Sequence, residues 1–267
     1  MLLALRQQAL LLVVAIQFLT RLPMPALRGF RPEWLSASAR YFPLVGVLVG
    51  AASLAVWWLA SLVLPNAVAV GLMLAASLLL TGAFHEDGFA DACDGFGGGT
   101  TPARVLEIMK DSRIGAYGAI GIAVMLGLKW TTLAAIPRID FPLLTVSAHM
   151  FSRWCATGLI WRLSYVRVEG ESKAKPFAGH LGAGEWLASG AIGGIAILAG
   201  ALLTHAGDAL AVRALGAAAS IAGLVALIAA AFVRRRIGGY TGDVLGAVQQ
   251  LTELGFLLCG LAVLGRP

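Results

Sequence analysis

Eight stretches of this chain are apolar for roughly the 20 residues that an α-helix needs to cross a bilayer. They run over 2–19, 42–64, 66–84, 117–136, 141–161, 185–204, 209–232 and 244–264. Between them they leave little room for polar surface. Only 13% of the 267 residues are charged and 59% are hydrophobic, against about 25% charged in an ordinary soluble domain. A soluble fold of this size could not cover itself with so few charges, and disordered chains are polar. The expected class is therefore all-α: a polytopic integral membrane helical bundle of seven to eight spans, forming a single domain over 1–267. The uncertainty in the count lies in the first stretch, where Arg6, Gln7 and Gln8 interrupt the apolar run and allow an interfacial or half-inserted helix. The N-terminus lacks a basic region ahead of its apolar run and a small-x-small site after it, so it reads as retained.

The connections alternate between short and long. Segments 20–41, 85–116, 162–184 and 233–243 are long, and they hold 14 of the 20 basic residues. The short connections, with the flanking Arg213 and Arg266, hold three. By the positive-inside rule the long segments face the cytoplasm, and the triplet Arg234, Arg235, Arg236 reads as a topology determinant. The net charge of +6 then reports orientation, and no nucleic-acid partner is expected. Three scattered cysteines, Cys93, Cys155 and Cys259, suit neither a disulfide framework nor a zinc site. They read as reduced. No repeat of fixed period is visible, which weighs against an inverted-repeat transporter.

The densest polar feature is the run from His85 to Gly95, directly after an apolar span. On a helix at about 100° per residue, Asp91 lies about 40° from Asp87 and Asp94 about 20° behind it. Three like charges on one narrow face repel each other, and desolvation near a bilayer adds to this. Such a stripe persists when something cationic binds it. Carboxylate oxygens suit Mg²⁺, which usually takes one or two carboxylates together with substrate phosphates. The bland reading is a solvated acidic helix end. Gly88 and Gly95 are read as room for a ligand to approach.

A second polar motif runs from Glu107 to Gly115. Glu107 and Asp111 stand one helical turn apart in sequence, with Arg104 and Arg113 nearby. Carboxylates beside arginines are what phosphoryl transfer requires, since its catalysis is mostly positioning and charge stabilisation. For Glu107 and Arg104 a surface ion pair is an equal alternative; for Asp111 and Arg113 the tight Asp-Ser-Arg-x-Gly turn favours a functional reading. A third motif, Gly238-Gly239-Tyr240-Thr241-Gly242-Asp243, offers glycine-rich backbone ahead of a helix N-terminus, where phosphate can bind. A plain turn with Asp243 as the cap gives the same pattern. Within the spans, His149 and Arg153 are one turn apart, Arg153 has Glu253 as a possible ion-pair partner, and Lys129 is expected to snorkel to the surface. The polar loop 162–184, with Arg167, Glu169, Glu171, Lys173 and Lys175, reads either as a lid or as solvated chain.

These motifs, in their order and spacing, resemble the cobalamin synthase family, the adenosylcobinamide-GDP ribazoletransferases. The resemblance is carried by Gly82-x-x-His85-x-Asp87-Gly88-x-x-Asp91-x-x-Asp94-Gly95, by Leu106 to Gly115, and by Thr241-Gly242-Asp243-x-Leu245-Gly246-Ala247. Phe18 to Pro25 and Phe42 to Gly46 are similar to its N-terminal motifs. It covers the chain from about residue 15 onward. Two positions depart from the pattern: Glu86, where many members carry an apolar residue, and Gln250, where members often carry Glu.

The resemblance implies a multi-pass enzyme of the bacterial or archaeal inner membrane, its site facing the cytoplasm. It implies that adenosylcobinamide-GDP is joined to α-ribazole or its 5′-phosphate, with release of GMP and with Mg²⁺ as cofactor. Asp87, Asp91 and Asp94 are then the expected metal ligands. Asp111, Arg113 and Asp243 are the expected catalytic residues, and His85, Glu107, Lys110, Thr241 and Arg153 the expected substrate contacts. Membrane transferases of CDP-alcohols are a competing class, but Asp87-Gly88-Phe89-Ala90-Asp91 lacks the Ala-Arg and the spacing of their motif. Prenyl-diphosphate transferases remain physically possible. A cation or solute transporter would place its carboxylates nearer the bilayer midplane.

Overall fold

The computed structural model describes residues 2–27, 29–166, 181–204 and 208–265. Each of the eight apolar stretches is a helix: α1 (Leu2–Leu19), α3 (Phe42–Ala60), α4 (Asn66–Thr81), α7 (Ala116–Ala135), α8 (Phe141–Arg162), α9 (Ala183–Thr204), α10 (Ala209–Ile237) and α11 (Gly242–Leu264). Among the described residues three further α-helices lie in the polar connections, α2 (Pro32–Ser38), α5 (Phe84–Gly98) and α6 (Pro102–Met109), with a short 3-10 turn at Ala39–Tyr41. No strand forms among the described residues, where the nearest feature is a single bridge between Tyr165 and Tyr240. The polytopic helical bundle expected from the sequence is what forms.

Five helical segments are long and apolar enough to cross a membrane, and six if the bent pair α4–α5 counts as one span. The two further spans that the sequence suggests are α1 and α8. Among the described residues α1 counts as a shorter apolar helix, Leu5–Leu19. Helix α8 is long enough, but it carries His149, Arg153 and Arg162 and is enclosed by other helices along most of its length. Apolarity marks contact with lipid, whereas α8 mostly contacts protein.

Helix α10 shows the rule directly. Ala211, Ala214, Ala218, Ala222 and Ala226 recur at helical spacing and are buried, while Leu224, Leu227 and Ile228 on other faces are exposed. The alanine stripe lets α11 approach closely. Helix α11 is thereby central, with Val248, Phe256 and Leu257 almost fully enclosed. Helices α3 and α8 meet in the same way: a side-chain carbon on Gly46 would collide with the His149 carbonyl.

The turn between α4 and α5 positions everything that follows. Gly82 (φ 67) and Ala83 (φ 55) are both left-handed, and their N–H groups return to Leu79 and Leu78 carbonyls. Gly82 carries this conformation readily, and Ala83 at a cost of about 1–2 kcal/mol. The two residues bend α5 by 89° from α4, so α5 crosses the end of the bundle instead of continuing along it. That end also gathers the starts of α7 and α11 and the exits of α1, α8 and α10.

The interior holds a second polar group, which the sequence indicates only in part. Lys129 of α7 is 3% exposed, and its ammonium lies 2.6 Å from Glu253 of α11. It does not snorkel, because a buried carboxylate holds it inward. His149 stands 3.6 Å from the other Glu253 oxygen, and Gln249 and Ser152 complete the surroundings of that oxygen. Arg153 does not pair with Glu253 as expected; it donates to the His149 carbonyl at 3.0 Å. Gln250 accepts from Lys129 at 3.0 Å and donates to Glu86 at 2.8 Å. The two positions that depart from the family pattern therefore touch one another.

Candidate active site

Helix α5 presents its acidic stripe at the bundle end. Asp87 is exposed, Asp91 half-buried and Asp94 buried. Close packing brings α11 onto the same place. A side-chain carbon on Gly88 would stand 2.9 Å from Asp243 Cα, and one on Gly246 would stand 2.9 Å from the His85 carbonyl oxygen. Asp243, in the first turn of α11, thus joins the stripe, and Asp91 feels the charges of Asp243, Asp87 and Asp94. No cation lies within ion-pair distance of Asp87, Asp91 or Asp243 among the described residues. This group of three carboxylates is not the three that helical spacing alone selects.

Asp94 is engaged differently. Its Oδ2 accepts the Gly115 N–H at 2.7 Å and its Oδ1 the Gly118 N–H at 2.8 Å. It satisfies the opening N–H groups of α7, and a side-chain carbon on Gly115 or Gly118 would collide with its carboxylate. Asp94 thereby fixes the Asp111–Gly115 turn against α5. The expectation that Gly88 and Gly95 leave room for ligand is corrected. Asp243 backbone fills the space at Gly88, and Met109 and Val105 fill it at Gly95.

The second motif is more exposed than the first. Helix α6 is capped by Thr101 and ends at Met109, so Glu107 and Asp111 do not share a helix. Glu107 pairs with Arg104 at 2.7 Å, both well exposed, a contact worth about 0–1 kcal/mol. Lys110 stands at the C-cap of α6. Asp111 accepts from Arg113 through both oxygens, at 2.6 and 2.9 Å. This side-chain hydrogen bonding, helped by the Arg113 backbone N–H, holds the Asp111 carboxyl down at about 2 and raises the Arg113 guanidinium further. Asp111 so bound is a poor proton acceptor. Its role here is to orient Arg113, whose side chain is 87% exposed.

In the third motif the cap is Thr241, not Asp243. The Thr241 hydroxyl accepts the Val244 N–H at 3.2 Å, which leaves the Asp243 carboxylate for the acidic group. Tyr240 is 1% exposed, and burial beside Tyr165 pushes its phenol up to about 12. Arg236, read as a topology determinant, donates to the Gly99 carbonyl at 2.8 Å and ties α10 to the end of α5. His85 and Arg153, expected to contact substrate, are both buried and line one pocket with Phe18, Phe42 and Phe84. Phe18 and Phe42 open the two N-terminal motifs, but that they and Phe84 form one aromatic wall is not visible in the sequence, where the three are far apart. Arg28 and Arg167, Glu169, Glu171, Lys173 and Lys175 of the 162–184 loop lie outside the described residues.

Cys93, Cys155 and Cys259 are unpaired, as expected. Among the described residues, no three His, Cys, Asp or Glu side chains are gathered tightly enough to hold a metal ion by themselves.

The fold defines the class of a polytopic helical membrane protein, here with a group of carboxylates at one end of the bundle. The model of the family described as cobalamin-5-phosphate synthase matches residues 11–262, and the chain belongs to that family. A relative from Leptothrix cholodnii is 44% identical over 266 residues, covering 97% of each chain, and is named adenosylcobinamide-GDP ribazoletransferase. Relatives of the same name from Ralstonia pickettii and Shewanella frigidimarina are 44% and 41% identical, over 97% and 96% of each chain. No solved structure matches the chain. The protein is a transferase of cobalamin synthesis, a result that decides among the transferase classes and the transporter raised by the motifs.

Proposed function

We propose that this protein joins adenosylcobinamide-GDP to α-ribazole or its 5′-phosphate and releases GMP. The reading rests on the similarity over nearly the whole chain to ribazoletransferases. The supporting observation is the group Asp87, Asp91 and Asp243, which brings carboxylates with no ion-pair partner among the described residues to one end of a membrane bundle. In the reaction a ribose hydroxyl oxygen bonds to the phosphorus next to cobinamide. The bond from that phosphorus to the GMP oxygen breaks, and the hydroxyl proton passes to a carboxylate. Asp243 is assigned as that acceptor, because Asp111 is held by Arg113.

Mg²⁺ fits the donor set. Asp87 and Asp91 offer hard carboxylate oxygens, and Mg²⁺ commonly takes one or two carboxylates together with water and substrate phosphate. When bound, the ion neutralises diphosphate charge. Asp94 keeps the Asp111–Gly115 turn in place, and Arg113 meets phosphate oxygens from that turn. The basic bias of the long connections supports a site facing the cytoplasm from a bacterial or archaeal inner membrane.

The test is a single assay. Protein in lipid nanodiscs is incubated with adenosylcobinamide-GDP, α-ribazole and Mg²⁺, and GMP is measured. Release that requires both substrates is expected. No release from well-folded protein overturns the reading.

A further inference from the structure

The pocket that holds His85 and Arg153 lies beside the carboxylates and is not explained by them. It opens between the exits of α1 and α8 and the starts of α3, α5 and α11, and encloses about 390 Å³ of space out to its mouth. Its walls are mostly carbon. Phe18 stacks on Phe42 with ring centroids 5.8 Å apart and meets Phe84 edge-on at 5.1 Å. Gly242 and Gly246 form part of its rim and flank Asp243 in sequence. A ligand seated there therefore ends next to the acidic group.

One polar feature of the pocket lacks a partner. Arg153 is 3% exposed, and its Nε–H is buried with no acceptor. The neighbouring Nη1 is occupied by the His149 carbonyl and ring. Buried donors are almost always paired, so an unpaired one lining a cavity points to a missing acceptor. The ligand so described is flat, largely apolar and carries one acceptor within its ring system.

We propose that this pocket binds the aromatic base of the nucleoside acceptor, a benzimidazole, with its free ring nitrogen accepting from Arg153 Nε. The inference rests on the transferase reading above and deepens it. A benzimidazole nucleoside has one ring nitrogen in the glycosidic bond and one left as an acceptor, which suits the buried Arg153 Nε–H. The guanine of the donor substrate carries several polar edge atoms, which a carbon wall would leave unsatisfied. The base inside places the ribose at the rim, on the side of Asp243.

The test measures binding separately from turnover. α-Ribazole binding to protein in nanodiscs is followed without donor by equilibrium dialysis, and adenosylcobinamide-GDP binding is measured in parallel. Ala156→Leu, which fills the pocket, and Arg153→Met, which removes the N–H donor, are expected to weaken α-ribazole by about tenfold or more, with binding of adenosylcobinamide-GDP within about twofold of wild type. Phe84 is 40% exposed, so Phe84→Leu keeps the fold and carries the test if Arg153→Met does not fold; a loss of about threefold or more is expected. Unchanged α-ribazole binding in the folded variants overturns the assignment, as does a loss confined to the GDP-linked substrate. Bound lipid found in the pocket by native mass spectrometry, with α-ribazole affinity unmoved by the variants, also overturns it. Wild-type GMP release with variants that bind α-ribazole normally sinks the pocket alone. Normal pocket behaviour without GMP release sinks the transferase reading alone.

Discussion

Two polar groups sit in this bundle, and they differ in charge balance. In the interior, Glu253 is matched by Lys129 at 2.6 Å and approached by His149, with Gln249, Gln250 and Ser152 filling the remaining positions. At the bundle end, Asp87, Asp91 and Asp243 face one another with no cation among the described residues. A balanced group is complete as it stands. An unbalanced one holds energy that a cationic ligand or a substrate-bound ion can release. The contrast assigns structure to the first group and chemistry to the second.

Substitutions separate the two. The largest effect on turnover is expected at the unbalanced group: Asp87→Asn or Asp91→Asn lowers GMP release by about 10²–10³-fold, while size-exclusion profiles and thermal unfolding stay close to wild type. Wild-type release in either variant would dissolve the contrast. At the balanced group the effect falls on the fold. Glu253→Leu leaves Lys129 buried and unpaired and destabilises by about 3–5 kcal/mol, whereas the double variant Lys129→Met with Glu253→Leu recovers most of that. Thermal unfolding in nanodiscs checks both, and equal losses in the single and double variants would contradict the pairing.

A smaller effect is expected where the fold serves the site. A side-chain carbon on Gly115 collides with Asp94, so Gly115→Ala displaces the Asp111–Gly115 turn and lowers kcat by about tenfold with little change in unfolding temperature. The smallest concerns pH. With its carboxyl held at about 2, below the usual range, Asp111 stays ionised at every pH above about 3. The contribution of the Asp111–Arg113 pair is therefore present at neutral pH and lost only as pH falls through about 2. Asp111→Asn should lower activity by a similar factor at each pH between 5 and 9. A pH-dependent loss in that range would make Asp111 a proton acceptor after all.

Much of the fold was legible because lipid contact writes itself into composition. All eight apolar stretches are helices, with ends shifted by a few residues. Helix α5 was harder to place, since its course depends on the left-handed Gly82–Ala83 pair rather than on any periodicity. Within the site, the stripe of Asp87, Asp91 and Asp94 was readable from a spacing of four and three. The division of labour along it was not, because Asp94 is taken by the Gly115 and Gly118 N–H groups, 21 and 24 residues away. Asp243 replaces it through close packing at Gly88, which the sequence shows only as a glycine. Lys129 was misread for a related reason: its partner Glu253 lies on a helix more than a hundred residues distant.

The central claim is that the unbalanced carboxylates complete themselves with a divalent ion and substrate phosphate. It is tested most directly by titrating Mg²⁺ into metal-stripped protein in nanodiscs with both substrates present and following GMP release. Release should be absent in excess chelator and return with Mg²⁺. Asp91→Asn should need about tenfold more Mg²⁺ for half of its own maximal rate. Release that persists in chelator, or a midpoint that Asp91→Asn leaves unmoved, would contradict the account.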